Sequence, residues 1–246
     1  DKALTLGARV TGLEGQLPDK RLLVNSHYHE ASAHLYGLGI HRATLCHVLT
    51  QKLSEYSSQI TWRMNHSVES FEEHNNEVQL FSIHKNQKVD ARFDAVLIAN
   101  GARSQLRPKA WVKVDQAYPW GAAWSIVPEC PVLDSEILHQ FYDRSKIMMG
   151  ILPTGAIPTE PQQRLSSVFW SLPKPQLQSF LQDEQAKQAW LKQVSERWPT
   201  VAEWLKEILY NSQTQPKWLS ANYRDVVMTQ FGQGRIGVIG DAAHAM

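Results

Sequence analysis

The chain has 246 residues, which is enough for one large or two small domains with a sizeable core. Its apolar fraction of 43% and charged fraction of 20% are typical of a globular protein. The 25 basic and 24 acidic residues leave a formal net charge of +1, so no overall field favours nucleic acid or an anionic membrane. No run of about 18 apolar residues occurs, so we expect no membrane-spanning helix.

The two cysteines, Cys46 and Cys130, form neither a CxxC pair nor a disulfide framework. They are typical of a protein in the reducing cytoplasm, and we expect a cytoplasmic location. The first residue is Asp1 rather than Met, and we therefore expect the gene product to begin upstream of it.

The first thirty residues have β character, with candidate strands at residues 8–13 and 21–25 around a turn-like segment. The consecutive polar rings His27, Tyr28 and His29 invite a metal interpretation. On a strand they would point to alternating sides, and no carboxylate lies at ligand spacing. We therefore predict no metal site.

A helix is predicted from Arg42 to residue 53. Apolar residues recur there at helical spacing and predict one buried stripe, formed by Ala43, Leu45, Val48, Leu49 and Leu53. Arg42 opens this helix, where a cation opposes the helix dipole. It is either a solvated surface residue or aimed at an anion, and we favour the anion because it removes the electrostatic conflict.

The next segment predicts a meander of strands at residues 59–63, 67–71, 78–84 and 92–99. Polar turns are expected at residues 72–77 and 85–87. The last strand ends in a buried apolar run, and Asn100-Gly101 follows it. Asn-Gly is a strong turn signal because both residues tolerate positive φ.

Residues 108–228 are rich in tryptophan and have mixed periodicity. Strands are predicted at residues 122–127, 138–142, 147–152 and 166–170, with Pro153 and Gly155 ending the third. Helices follow at residues 185–198 and from Pro199 onward, and strand character returns at residues 218–230. This order is typical of an α+β lid domain over a cofactor site.

The last residues predict a short buried strand at 236–239, a turn and a helix start. Gly240 frees the backbone, and Asp241 lies where the N-cap of a helix is expected. Open α/β sheets bind ligands at this edge, and the free N–H groups of a new helix favour an anion. The simpler alternative is a capped helix after a buried strand.

The string Gly240-Asp241-Ala242-Ala243-His244 resembles the second flavin motif of the para-hydroxybenzoate hydroxylase-like FAD monooxygenases. The resemblance implies that Asp241, after Gly240, hydrogen-bonds the ribityl chain of FAD. Arg42, with Leu45 three residues later, is similar to the family's arginine that reaches the ribityl and pyrophosphate region. In the family, the residue matching Val68 lies where the backbone approaches the adenine ring, whereas the sequence alone favours a packing role for this side chain.

The same family usually has Ala-Asp-Gly-Ala-x-Ser where this chain has Ala99-Asn100-Gly101-Ala102-Arg103-Ser104. The resemblance implies that Asn100 and Gly101 bind FAD. In the family the acid also links the FAD site to the docking site of NAD(P)H. Asn100 keeps the size and the acceptor oxygen but loses the charge, which weakens the expectation of NAD(P)H use.

The family's Gly-x-Gly-x-x-Gly motif does not occur, since Gly7, Gly12 and Gly15 have the wrong spacing. We therefore expect this chain to be an internal segment of a longer protein. On its own, the segment is expected to bind FAD weakly and to be inactive.

The resemblance implies an α/β fold, namely an incomplete Rossmann-like FAD-binding domain with an inserted mixed-sheet α+β substrate domain. Residues 1–107 would be FAD-binding domain with some strands of the substrate domain. Residues 108–228 would be the substrate domain, and residues 229–246 would return to the FAD-binding domain.

The implied function is a flavin-dependent monooxygenase that uses FAD, NAD(P)H and oxygen on a small, aromatic substrate. The alternatives are an FAD-dependent reductase or dehydrogenase of the same fold, and a non-catalytic binding relative. No catalytic side chain can be assigned, because no Ser-His-Asp order or paired-carboxylate motif occurs. Flavin chemistry is compatible with this, since the cofactor carries the reactive atoms.

Overall fold

The computed structural model describes residues 2–84, 87–211 and 216–246, which form two compact units. The first unit comprises Asp1–Ser57 and Trp120–Ala221, and the second comprises Ser58–Pro119 and Asn222–Met246. The chain thus passes between the units after Ser57, Pro119 and Ala221.

The first unit begins with two helices and four short strands. They are α1 (Lys2–Leu6), β1 (Ala8–Val10), β2 (Gly12–Gln16), β3 (Leu22–His27), β4 (Gly37–Gly39) and α2 (Arg42–Ser54). Strand β1 pairs antiparallel with β4, and β2 pairs antiparallel with β3. A 3-10 helix at Tyr28–Glu30 follows β3, so the three polar rings do not alternate along a strand as expected.

The predicted buried stripe of α2 is wrong. Leu45 and Leu49 are 39% and 54% exposed, and the buried residue of this helix is Thr44. The Thr44 hydroxyl donates a hydrogen bond of 2.9 Å to the carbonyl of Ala156. The helix is therefore anchored through a polar contact, which hydrophobic periodicity does not reveal.

The meander of the second unit consists of β5 (His66–Glu73), β6 (Val78–His84) and β7 (Gln87–Phe93), all antiparallel, followed by β8 (Val96–Ile98). The predicted strand at residues 59–63 does not form. Its Trp62 is 57% exposed, and β-prone residues form a strand only where another strand pairs with them. Of the turn predicted at residues 85–87, residues 85 and 86 lie outside the described residues, and Gln87 begins β7.

The long strands are β9 (Val112–Pro128), β10 (Ile137–Asp143), β11 (Ile147–Ile157), β12 (Glu160–Pro173) and β13 (Leu219–Met228). A short 3-10 helix, Lys109–Trp111, precedes β9. With β2 and β3 these strands form a seven-stranded sheet in the order β13-β9-β12-β11-β10-β2-β3. Strand β11 continues past Pro153 and Gly155, where we expected it to end, because its register against β12 shifts there as in a β-bulge.

Three helices follow β12 in the first unit: α3 (Lys174–Gln182), α4 (Glu184–Arg197) and α5 (Pro199–Tyr210). Helix α3 was not predicted. The core of this unit joins buried side chains of the sheet and of these helices, among them Phe141, Met149, Val168, Trp190, Val194 and Leu205. Because strand side chains alternate, the opposite face of the sheet is left for other contacts.

The second unit ends with β14 (Gly232–Gln233), β15 (Ile236–Val238) and α6 (Asp241–His244). Strand β15 pairs antiparallel with β14 and parallel with β8. A second core surrounds this sheet and includes Val78, Ile98, Ile236 and Val238. No helix in the described part of the chain is long and apolar enough to span a bilayer.

Candidate FAD site

Two parallel strands of the second unit bring the predicted flavin motifs to one sheet edge. In β8 and β15, Val96 pairs with Ile236 and Ile98 pairs with Val238. The amide of Ile239 extends this ladder by donating to the carbonyl of Ile98 at 3.0 Å. Since the strands run in the same direction, the turns that follow them leave from the same edge. Asn100-Gly101 and Gly240-Asp241 therefore lie side by side.

The turn after β8 is held by backbone hydrogen bonds. Gly101 has a φ of 89°, and its carbonyl accepts a bond of 3.0 Å from the amide of Ser104. The buried hydroxyl of Ser104 accepts a bond of 3.2 Å from the amide of Leu106. Asn100 is exposed at the start of this turn, so its amide group is accessible to a ligand.

The turn after β15 differs from the prediction in one respect. The N-cap of α6 is Gly240, and Asp241 is the first residue of the helix rather than its cap. Gly240 has φ 58° and ψ −148°, a region that residues with a Cβ avoid, and its carbonyl accepts the amides of Ala243 and His244. The carboxylate of Asp241 is left exposed.

Both turns leave room for a ligand to approach the backbone. A Cβ added to Gly101 or to Gly240 would meet no atom within 4 Å. An exposed amide and an exposed carboxylate flank this open space. Hydrogen-bond acceptors beside an open backbone suit a hydroxyl-rich chain such as the ribityl group of FAD. The residues at this edge therefore fit the cofactor.

Arg107 joins the two turns from inside the protein, and sequence analysis did not predict it. Its Nη1 donates to the carbonyl of Ala242 at 3.1 Å, and its Nη2 donates to the carbonyl of Ala102 at 3.0 Å. The side chain is 3% exposed. No periodic signal marks a buried arginine in a turn, so only the three-dimensional contacts identify it.

Arg107 forms an ion pair with Asp115, whose carboxylate also pairs with Arg224. Its Nη2 lies 3.0 Å from Oδ2 of Asp115, and Nε of Arg224 bonds the other oxygen of the same carboxylate. Burial alone would raise the pKa of Asp115, but the hydrogen bonds from Arg224 and Arg107 outweigh it and hold this pKa below its usual value. Asp115 is therefore ionised at neutral pH.

A cavity of about 390 Å³ lies next to the Asn100 turn, within the second unit. Its walls come from β5, β6, β8 and the turn, and they include His66, Val68, Leu80, Ile98, Asn100 and Leu106. The His66 ring stacks on that of His84 with centroids 4.2 Å apart. Desolvation, with the charges of His84 and Arg63, lowers the pKa of His66, which favours its neutral form. The structure thus brings Val68 and Asn100 to one cavity.

Arg42 belongs to the first unit, unlike the other predicted FAD-binding residues. Arg42 is exposed at the first position of α2. The preceding residue, His41, caps the helix, because its Nδ1 accepts a hydrogen bond of 3.2 Å from the amide of Ala43. Arg42 lines a cavity of about 640 Å³ against one face of the long sheet. The other lining residues are Ile40, His41, Ala43, Cys46, Trp124, Ile126, Leu152, Thr154, Ser167, Lys217 and Leu219.

The lining of this cavity is mainly apolar and basic, and Thr154 and Ser167 add two hydroxyl groups. Leu152, Ser167 and Ile126 lie directly opposite one another on three neighbouring strands and form its floor. Its basic residues are His41, Arg42 and Lys217, and the described part of the chain contributes no acidic residue to the lining. Within residues 2–84, 87–211 and 216–246, no three His, Cys, Asp or Glu side chains converge as they would around a metal ion.

Comparison with known proteins agrees with this geometry. The fold and the paired turns define a flavin-binding class of protein, and the family model described as FAD binding domain matches residues 10–246. The chain belongs to this FAD binding domain family. The resemblance stated from the sequence, the α/β fold class and FAD as the cofactor are thereby confirmed.

Solved structures show the same fold at low sequence identity. The p-nitrophenol 4-monooxygenase PnpA from Pseudomonas putida DLL-E4 is 15% identical with a TM-score of 0.74, over 99% of this chain and 58% of its own. A mutant of PqsL from P. aeruginosa is 15% identical with a TM-score of 0.76, and the match covers 99% of this chain and 63% of the PqsL chain. The 2-methyl-3-hydroxypyridine-5-carboxylic acid oxygenase is 16% identical with a TM-score of 0.67, and the match covers 100% of this chain and 60% of the oxygenase chain.

The chain thus spans about three fifths of the length of these solved chains. A comparison with curated proteins found no match.

Proposed function

We propose that the gene product containing this chain is a flavin-dependent monooxygenase that uses FAD, NAD(P)H and oxygen on a small aromatic substrate. The observation that carries this proposal is the parallel pairing of β8 with β15, which sets Asn100-Gly101 beside Gly240-Asp241. Membership of the FAD binding domain family supports the choice of cofactor. The chemistry that FAD supplies when bound is the transfer of electrons from NAD(P)H to oxygen.

Each predicted residue has a distinct role in this proposal. The Asp241 carboxylate accepts hydrogen bonds from the ribityl hydroxyls, and Gly101 and Gly240 let the cofactor approach the backbone. Asn100 binds a ribose hydroxyl or a backbone group of the ligand. Val68 lies in the wall of the cavity that would take the adenine ring. Arg42 would bind the pyrophosphate of FAD through its guanidinium.

The cavity beside Arg42 is the proposed place of the substrate. Trp124 and the aliphatic side chains of its floor suit a flat ring. His41 and Lys217 suit an acidic substituent on that ring, because none of the described residues that line the cavity offers a carboxylate to compete for them. The similar solved proteins are named for p-nitrophenol and for a hydroxypyridine carboxylic acid, which agrees with such a substrate.

We also propose that residues 108–228 provide the substrate domain and that residues 1–107 and 229–246 belong to the FAD-binding domain. The cytoplasm is the proposed compartment, since Cys46 and Cys130 are both free thiols.

The alternatives are a reductase of the same fold and a relative that binds without catalysis, and Asn100 is the observation that favours the non-catalytic relative. The amide occupies the position where the resemblance expects an acid that links FAD to NAD(P)H. Mixing the FAD-loaded gene product with NADPH or NADH without oxygen tests this difference. A monooxygenase is expected to lose its flavin colour and, once air is admitted, to consume oxygen with the nicotinamide.

Rapid bleaching without oxygen consumption would identify a reductase, and no bleaching by either nicotinamide would contradict both enzyme proposals. The Asn100→Asp variant sharpens the result. If the amide limits reduction, restoring the acid accelerates bleaching. An unchanged rate would show that Asn100 is not the limiting feature.

A further inference from the structure

We propose that Arg107 is a positioning residue that holds the two FAD-binding turns at a fixed separation. This inference rests on the proposed function, namely that these turns bind FAD. Arg107 acts through the backbone of the turns and not through contact with the cofactor.

The geometry of the guanidinium supports this role. One nitrogen donates to the Ala242 carbonyl, next to Asp241, and the other donates to the Ala102 carbonyl, next to Gly101. The last backbone hydrogen bond between the two strands joins Ile239 to Ile98, so the ladder ends before it reaches the carbonyls of Ala102 and Ala242. A planar group with several donors in a rigid arrangement sets that distance more strictly than a flexible ammonium could.

Asp115 and Arg224 hold Arg107 in place from the other side. The Asp115 carboxylate accepts from Arg107 at 3.0 Å and from Nε of Arg224. Asp115 lies on β9 and Arg224 on β13, which are long strands of the seven-stranded sheet. The position of the guanidinium is therefore set by regular structure.

The burial of Arg107 is not explained by stability alone. A buried charge must be desolvated, and a buried ion pair is a weak source of net stability. The Nε of Arg107 is buried without a hydrogen-bond partner, which adds a further cost. Arg107 thus leaves its Nε unpaired but donates hydrogen bonds to the carbonyls of both turns. This favours a role for Arg107 in setting the geometry of the turns.

The test compares variants of the full-length gene product. Arg107→Met removes every donor, and Arg107→Lys keeps the charge but cannot span both carbonyls. The matched control is Arg92→Met, because Arg92 is 62% exposed and pairs with Glu77 on the surface of the same unit. For each protein we would measure the FAD dissociation constant, the visible circular dichroism of bound flavin and the thermal midpoint of the apoprotein.

We expect Arg107→Met to weaken FAD binding about tenfold or more, because two charge-assisted hydrogen bonds at the turns are lost. Arg107→Lys is expected to restore part of the affinity, and Arg92→Met to leave it unchanged. The visible circular dichroism should change in Arg107→Met and Arg107→Lys, since the flavin environment shifts with the turns. A purely structural role would lower the apoprotein midpoint alone.

A folded Arg107→Met protein with wild-type FAD affinity and an unchanged flavin spectrum would overturn the inference. If that variant does not fold, Asp115→Asn replaces it, because it keeps the guanidinium and removes its countercharge. We expect several-fold weaker FAD binding there, and wild-type binding would again overturn the inference. A wild-type protein that binds no FAD would instead refute the proposed function, and this inference with it.

Discussion

Asp241 follows a glycine whose backbone angles, φ 58° and ψ −148°, place the carboxylate at an open sheet edge. The Asp241→Asn substitution keeps the shape and removes the charge. Hydrogen bonds to a charged acceptor are stronger than neutral ones, so we expect the FAD dissociation constant to rise on the order of tenfold. Asp94→Asn, at an exposed acid of the same unit, is the control and should bind FAD normally. Equal affinities for both variants would refute the role of Asp241.

Asp115 provides a prediction about pH. Its pKa in the folded protein lies below the usual value of 3.8, so its pairs with Arg224 and Arg107 stabilise the fold above that value. This stability is lost as the pH falls through the lowered pKa. Asp115→Asn is therefore expected to be less stable than the wild type in urea at pH 7, with a smaller difference near pH 3. A difference that is the same at both pH values would contradict the account.

Individual residues show where sequence patterns stop being informative. Gly101 and Gly240 were expected at turns, and both have positive φ there, a conformation that glycine adopts without strain. Thr44 and Arg107 were not predicted, since each is a polar side chain buried by distant partners. The exposure of Leu45 and Leu49 likewise depends on which face of α2 meets β11, and periodicity alone does not reveal it.

Elements were predicted well where their periodicity was strong. Helix α4 was expected at residues 185–198 and spans Glu184–Arg197, because its apolar residues recur every 3.6 positions. Strand β6 was expected at residues 78–84 and forms there. The pairing of β8 with β15 could not be predicted from the sequence of either strand, because parallel pairing joins segments far apart in the chain.

Helix α4 also provides a stability prediction. Trp190 is 2% exposed and packs edge-on against Trp170, Phe180 and Trp218. Trp190→Ala would leave a large cavity, and we expect a loss of about 3–5 kcal/mol in the free energy of unfolding. Lys192→Ala, on the exposed side of the same helix, should change it by less than about 0.5 kcal/mol. Denaturant unfolding measures both, and similar small effects would mean that α4 does not pack as described.

For the whole molecule, the motifs near residues 42, 100 and 240 were enough to identify the family, and the match over residues 10–246 confirms it. The division into units was harder to foresee. The strands β9 and β13 each run from one unit into the other, so no turn or change of composition marks the boundary. The hydrophobic pattern of the sequence locates the strands. It does not show which strands share a core, because the contacts within each core join residues far apart in the chain.

The central claim is that the turns after β8 and β15 form an FAD site. The most direct measurement is the visible absorbance spectrum of the full-length gene product, purified without added cofactor and then titrated with FAD. We predict two flavin bands whose shape differs from that of free FAD and which saturate at an equimolar amount. A colourless protein in which added FAD keeps its free spectrum at every ratio would contradict the claim.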